Sequence, residues 1–298
     1  MTFPIQARIL LSFAYVSSWA KEGTDYLRHT DLLVDSGAFT AFMKGTTIDI
    51  RKYTEWLADN ARNINHAAAL DVIGDWRASA KNFDAMREVL GSRVKVVPAW
   101  HLGSPAVELE RPCKENDYVA IGGCVPYSKT PKILMRHLIA AHRVAAGQGT
   151  KLHGLGITGV TTMRKLPWYS VDSSSWMAGM RFGQIELATR AGEMKPVKFG
   201  APVTPEQIKL VRYYDGDPAR VGAKDFNLVR LAGKEQGNMD RRWVAVAAAR
   251  SFMYLEECIR NAHRREFHLH LATQNTAYTL DALNAHSMGS PYPSLEKK

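Results

Sequence analysis

The chain has 298 residues, 46% hydrophobic and 23% charged, a composition that excludes a disordered or fibrous protein and leaves ample material for a core. Its 39 Lys+Arg against 29 Asp+Glu give a formal net charge of +10, which points to a polyanionic partner and, among those, to nucleic acid. Three cysteines, Cys113, Cys124 and Cys258, are no disulfide framework and indicate a reducing, cytosolic setting.

The longest apolar run near the start, Ile9 to Val16, is too short to span a membrane, so no membrane partner is expected. It follows Arg8 as a signal peptide would, but Ser17-Ser18-Trp19-Ala20-Lys21 makes a poor cleavage site. A first buried strand is the better reading. From there, short β-rich apolar runs alternate with amphipathic segments of helix length. Strands are expected over Arg8–Phe13, Leu32–Asp35, Ala67–Asp71, Val94–Ala99, Tyr118–Ile121, Leu152–Ile157, Tyr169–Asp172 and Phe267–Ala272. Ile50, Tyr53, Leu57, Ala61 and Ile64 follow a helical stripe, as do Ile133, His137, Ala140, Ala141 and Val144 in a helix opened by Pro131. Strict alternation of strand and helix builds a parallel sheet. The expected fold is therefore α/β, a (β/α)8 TIM-type barrel forming one domain over residues 1–298.

One interval breaks the rhythm. Residues 177–265, between the seventh and eighth strands, are too many for an ordinary crossover. They carry 16 Lys+Arg and 10 Asp+Glu, so +6 of the +10 lies here. A hairpin is expected over Gly183–Phe199 around Ala191-Gly192. Thr204-Pro205-Glu206 has the form of a helix start. Asp240 is expected to cap a long helix with Val244, Ala248, Phe252, Leu255, Ile259 and Ala262 on one face. Arg241, Arg242, Arg264 and Arg265 are the candidate nucleic-acid contacts, because a basic insertion beside a catalytic face could grip a phosphate backbone. The tail after Ser287 reads as a frayed end.

Two strand ends have the same design. Asp35 closes Asp31-Leu32-Leu33-Val34-Asp35 and leads into Ser36-Gly37-Ala38-Phe39-Thr40. Asp172 sits in Pro167-Trp168-Tyr169-Ser170-Val171-Asp172-Ser173-Ser174-Ser175-Trp176. Active sites of parallel barrels gather at the C-terminal ends of the strands, so two such carboxylates are expected to face one pocket. Taken alone, Asp35 before Ser-Gly could be a turn or a cap. Asp75 reads as the N-cap of a helix from Trp76 to Leu90, Cys124 as a small buried filler, and Trp168 and Trp176 as core.

Taken together, the motifs carry a family resemblance. Asp35-Ser36-Gly37-Ala38-Phe39-Thr40 resembles the Asp-Ser-Gly-Gly-aromatic-Gln signature of the tRNA-guanine transglycosylases, which are (β/α)8 barrels. In the family's order follow Ala69-Leu70-Asp71, Val97-Pro98-Ala99-Trp100-His101-Leu102-Gly103, Tyr118-Val119-Ala120-Ile121-Gly122-Gly123, Leu152-His153-Gly154-Leu155-Gly156-Ile157 and Tyr169-Ser170-Val171-Asp172-Ser173. The resemblance spans residues 8 to 176. The chain departs from the tRNA enzymes in lacking their Cys-x-Cys-x-x-Cys zinc motif and the Gln after the aromatic. Cys258, His263, His268 and His270 are close in sequence but do not have that spacing, and no metal is expected. These departures are similar to compact homologues, many from bacteriophages, that insert 7-deazaguanines into DNA. For such a protein the compartment would be the host cytoplasm.

The resemblance implies replacement of guanine in DNA by a free 7-deazaguanine base, with tRNA as the alternative polymer and an inactive nucleic-acid-binding barrel as a further one. Retention at an N-glycosidic bond asks for a nucleophile on C1′ and a proton donor for the departing base, the task two carboxyls perform in retaining glycosidases. Asp172 would be the nucleophile and Asp35 the acid, then the base. Asp71 would accept hydrogen bonds from the guanine edge, with Ser36 and His101 as neighbouring pocket residues. Gly122 and Gly123 would let backbone approach the base. Phe39 would stack on the ring. No cofactor is required, because one glycosidic bond is exchanged for another. Nothing in the sequence sets an oligomeric state.

Overall fold

The computed structural model describes residues 7–18, 27, 30–228, 233–274 and 276–288. Trp19-Ala20-Lys21 of the poor cleavage site, and the tail from residue 289 onward, lie outside the described residues.

In chain order the barrel elements are β1 (Arg8–Ser12), β2 (Asp31–Asp35), α1 (Ala38–Met43), α2 (Ile50–Asp59), β3 (His66–Ala68), α3 (Trp76–Leu90), β4 (Lys95–Val97), β5 (Ala99–His101), α4 (Val107–Glu115), β6 (Tyr118–Gly122), α5 (Pro131–Gln148), β7 (Lys151–Gly154), α6 (Val160–Lys165) and β8 (Ser170–Ser173). There follow α7 (Ala178–Phe182), β9 (Gln184–Ala188), β10 (Met194–Lys198), α8 (Pro205–Tyr213), α9 (Pro218–Gly222), α10 (Glu235–His263), β11 (His268–Thr273) and α11 (Thr276–Met288).

The main sheet runs β4-β3-β2-β1-β11-β8-β7-β6-β5. Its two end strands are adjacent in the chain, separated by Pro98 alone. Proline has no N–H to give a ladder and interrupts a strand for that reason. On one side β4 pairs with β3, His66 opposite Lys95; on the other β5 pairs with β6, Ala99 opposite Ala120. The Pro98 carbonyl still accepts from Ala120 N at 2.9 Å. One strand bent at a proline thus joins both ends of the sheet, and the nine segments amount to the eight strands of a parallel (β/α)8 barrel. The registers are parallel, for example Ser12 opposite Asp35 and His153 opposite Ser170. Helices cover such a sheet, so its strands are buried with little alternation; all five residues of β6 are buried.

Most helix signals act where the sequence places them. Asp75 accepts Ala78 N–H at the start of α3, and Thr204 and Gln207 form a reciprocal capping box at α8. Two expectations are corrected. The buried stripe of α5 is Leu138, Ala141, His142 and Ala145, one position round from the expected one, and Ile133 and Ala140 face solvent. Asp240 is no cap, because α10 starts at Glu235 and Asp240 lies inside it, buried against Arg220. The carboxylate's need for a cation outweighs its preference for a helix start. Val244, Ala248, Phe252, Leu255 and Ile259 are buried on α10, whereas Ala262 is exposed.

By packing, the chain divides into two compact units, Arg8–Ser173 with Ala272–Asn275, and Met1–Ala7, Ser174–Leu271 and Thr276–Lys298. The dividing line falls inside β11. The first unit holds β1 to β8, with apolar clusters such as Val97, Tyr118 and Ala120. In the second, β9 and β10 pair antiparallel, Met194 opposite Ala188, and turn where Gly192 takes a φ of 75°. There α10 packs on β9, and Ser251 Oγ accepts Ala188 N–H at 2.6 Å. No helix among the described residues is long and apolar enough to cross a membrane.

Candidate active site

Asp35 is the last residue of β2, and the chain turns sharply after it. Gly37 has a φ of 78°, and a Cβ there would stand 2.5 Å from the Cβ of Ala14, so only glycine fits the turn. Its N–H donates to Asp35 Oδ2 at 3.0 Å. The Asp-Ser-Gly sequence is therefore a turn, and the turn is what sets the carboxyl in place. Burial pushes the Asp35 pKa up, and the negative charges of Asp71 and then Asp172 push it further. The nearby Ser12 hydroxyl and the Gly37 N–H act in the other direction, and the result is about 7. A carboxyl in this state both gives and takes a proton at neutral pH.

Asp71 stands three residues beyond β3, not within it. Ala69 N–H still reaches Val97 O of β4 at 2.8 Å, and the chain then leaves the ladder to bond side chains of α3: Leu70 N–H reaches Met86 Sδ, and Leu70 O accepts from Asn82. The Ser36 hydroxyl donates to Asp71 Oδ1 at 3.0 Å while its oxygen accepts Ala38 N–H. On the other carboxylate oxygen, His101 Nε2 lies 2.7 Å from Asp71 Oδ2. The ring of His101 passes over Gly122, where a Cβ would come within 2.8 Å of its Cδ2. Gly123 has a φ of 72° and lies against the Leu102 backbone. The room left by these two glycines thus admits His101 and Leu102. An open pocket of about 330 Å³ adjoins Asp71 and is lined among others by Ala38, Phe42, Thr46, Ile48 and Leu70.

Asp172 lies in β8, whose four residues are all buried. Its Oδ1 accepts Gly156 N–H at 2.8 Å and lies 3.3 Å from His153 Nε2. The other nitrogen of that ring, Nδ1, is 2.7 Å from Ser170 Oγ, itself 2.6 Å from the Tyr118 hydroxyl. Burial raises the pKa of Tyr118, which holds its proton. The Cys124 thiol is pushed up to about 12, by burial first and the charge of Asp172 second. A thiol so placed is no nucleophile.

Ser36, Asp71 and His101 are thus joined by direct contacts, His101 lies against Gly122, and Asp71 and Asp172 are near enough for their charges to be felt at Asp35. Phe39 stands in the first turn of α1 and is 44% exposed, in line with Phe42 and Met43, also exposed. The four arginines do not gather. Arg241 and Arg242 lie toward the start of α10, and Arg264 and Arg265 follow its end. Twenty-two residues from Arg242 to Arg264 correspond to about 33 Å at 1.5 Å per residue. Asp281 feels the charges of Arg241 and Arg242. Among the described residues no group of three His, Cys, Asp or Glu side chains is arranged to hold a metal ion. Cys258 and His268 are buried, and His268 Nε2 lies 3.1 Å from Glu266.

Three contributors carried no assigned role in the sequence. His153 and the Gly156 N–H hold Asp172, and only the spacing of His153-Gly154-Leu155-Gly156 signalled them. Tyr53, one residue of an apolar stripe on α2, donates to Ala68 O at 2.9 Å and to Val34 O at 3.4 Å. It ties together β2, which ends in Asp35, and β3, which leads to Asp71, and a helical stripe gives no sign of that. Compared with protein-family models and with curated proteins, the sequence matches none.

Proposed function

We propose that the protein is a base-exchange transglycosylase that replaces guanine in DNA with a free 7-deazaguanine base through a covalent Asp172–deoxyribosyl intermediate. One arrangement carries the reading: Asp35, at the end of a barrel strand, is buried within reach of the charges of Asp71 and Asp172, which with burial raise its pKa to about 7, while Asp172 is clamped at Oδ1 by two donors. Groups whose environments differ in this way divide acid and nucleophile roles between them.

In the first half-reaction an oxygen of Asp172 bonds to C1′ while the C1′–N bond breaks and its electron pair leaves with the guanine. Asp35, protonated, supplies the proton that the departing ring takes. In the second half Asp35, now a carboxylate, removes the ring N–H proton of the 7-deazaguanine. The nitrogen then attacks C1′ and frees Asp172. Atoms and protons balance over the cycle without a cofactor. Asp71, kept in place by Ser36 and His101, accepts from the N–H edge of the base; a carboxylate has lone pairs for both tasks. Phe39, exposed in the first turn of α1, stacks on the ring face. The +6 of residues 177–265 supplies attraction for the phosphate backbone. Extracting a paired guanine costs a few kcal/mol, so a single-stranded or mismatched guanine reacts faster than a paired one.

The test offers labelled 7-deazaguanine base to purified protein with DNA oligonucleotides and, separately, with unmodified tRNA. Label in DNA is the expected result. Label in tRNA alone replaces the polymer and leaves the chemistry standing. Label in neither, with tight DNA binding, makes the chain a binding barrel.

A further inference from the structure

Of the three carboxylates, Asp172 is the one on which two donors converge at a single oxygen. Both oxygens of Asp71 are engaged, by Ser36 and His101, and Asp35 is held by the turn at Gly37. At Asp172 the Gly156 N–H and His153 Nε2 converge on Oδ1.

The direction of the protons in this line follows from counting donors. An ionised Asp172 can only accept, so His153 must present Nε2–H to it. Ser170 Oγ has one hydrogen and stands between two partners, His153 Nδ1 at 2.7 Å and the Tyr118 hydroxyl at 2.6 Å. If Tyr118 donates to Ser170 and Ser170 donates to a bare Nδ1, every hydrogen has an acceptor and the ring carries its proton on Nε2. The opposite order sets a lone pair of Nε2 against the carboxylate. What one ring nitrogen bonds decides which tautomer the other shows, and an anchored partner raises the precision of the group it orients.

We propose that His153 is a positioning residue: Tyr118 and Ser170 hold it as the Nε2–H tautomer, it and the Gly156 N–H clamp Oδ1 of Asp172, and Oδ2 is left as the atom that bonds to C1′. This rests on the reading of Asp172 as the nucleophile. The device does two things at once. It stops the carboxylate from rotating, so one oxygen is always presented. It also puts two donors on the oxygen that keeps the negative charge until bond formation and becomes the ester carbonyl afterwards, a role that asks for donors fixed in advance.

The test has two arms. Ring-nitrogen chemical shifts of 15N-histidine-labelled whole protein, with His153 assigned by comparison with His153→Gln, report the tautomer on the free protein without any reaction. Nε2 protonated and Nδ1 bare is the expected pattern. Ser170→Ala, which removes only the link, should disturb that pattern and lower kcat by about tenfold or more, the worth of a hydrogen bond to a charged group, with KM for the free base unchanged. Tyr118→Phe should act in the same direction by a few-fold, as one neutral hydrogen bond does. Nδ1 protonated with Nε2 bare, a doubly protonated ring, or Ser170→Ala with wild-type shifts and kcat would each overturn the proposal. Because the shifts need no substrate, a protein that exchanges no base but shows the expected pattern refutes the exchange reading and not the clamp.

Discussion

Buried carboxylates occur in both units of the chain, and they are treated in opposite ways. In the second unit Asp240 lies inside α10 and is met by the Arg220 guanidinium and the Gln236 amide. Arg250, itself buried, likewise reaches the exposed Asp215 at Oδ2, 2.6 Å away. Each of these two buried charges has an opposite charge beside it, as the cost of burial demands. In the barrel unit Asp35 is met by two more negative charges, those of Asp71 and Asp172. Its burial and these neighbours act against ionisation together, and the hydrogen bonds it receives do not cancel them. Where a fold needs a carboxylate only to hold itself together it supplies an arginine. Acids crowded without one are an arrangement that stability alone would not select, and that points to chemistry.

Four experiments put this contrast to the test. The largest effect is expected at Asp172→Ala, which would remove the proposed covalent route and should cut base exchange by about 10⁴-fold or more, as loss of a nucleophile commonly does. Circular dichroism and melting should show the fold intact. Exchange near the wild-type rate in the pure variant would remove Asp172 from its role.

Second is Asp35→Asn, read as stability against pH. The folded-state pKa of about 7 stands above the ordinary 3.8, so the folded state binds this proton more tightly than the unfolded one. The stabilisation is whole below about pH 4 and is lost as the pH climbs through 7. Wild type should therefore lose stability relative to the variant across that window, on the order of 4 kcal/mol at 1.36 kcal/mol per pKa unit. Parallel stability curves from pH 4 to 8 in denaturant titrations would show that Asp35 is not strained.

Third, Asp240→Ala leaves the Arg220 guanidinium with Asp225 alone, at 2.7 Å. Breaking a buried pair from one side costs about 3 kcal/mol, which calorimetry should record as a lower Tm, while exchange per folded molecule stays at the wild-type level. The barrel carboxylates should behave in the reverse manner, activity falling and stability not.

The smallest effect concerns the arginines. Since two pairs stand about 33 Å apart on the α10 axis, reversing Arg241 and Arg242, or Arg264 and Arg265, should each flatten the log–log salt dependence of DNA binding separately. Each lost phosphate contact removes about 0.9 from the slope, and affinity for the free base should not move. An unchanged slope in both variants would locate the DNA contacts elsewhere.

Much of this was legible in the residues. Alternating apolar runs foretold the barrel, since hydrophobic period and strand length are local properties of the chain. The Asp35 and Asp172 strand ends were legible for the same reason, as were the caps at Asp75 and Thr204. The tertiary structure decided matters that depend on who meets whom. Asp240 looked like a helix start until Arg220 came to it, the α5 stripe was one residue out because its helix packs on neighbours the sequence does not name, and Pro98 joined the two edges of a sheet. His153, Gly156 and Tyr53 could not be read as a set, because the hydrogen bonds that give them meaning run between segments distant in sequence. A carboxyl's pKa belongs to this second class as well. The letters Asp-Ser-Gly give Asp35 its turn, but its value near 7 comes from burial and from charges 36 and 137 residues further along the chain.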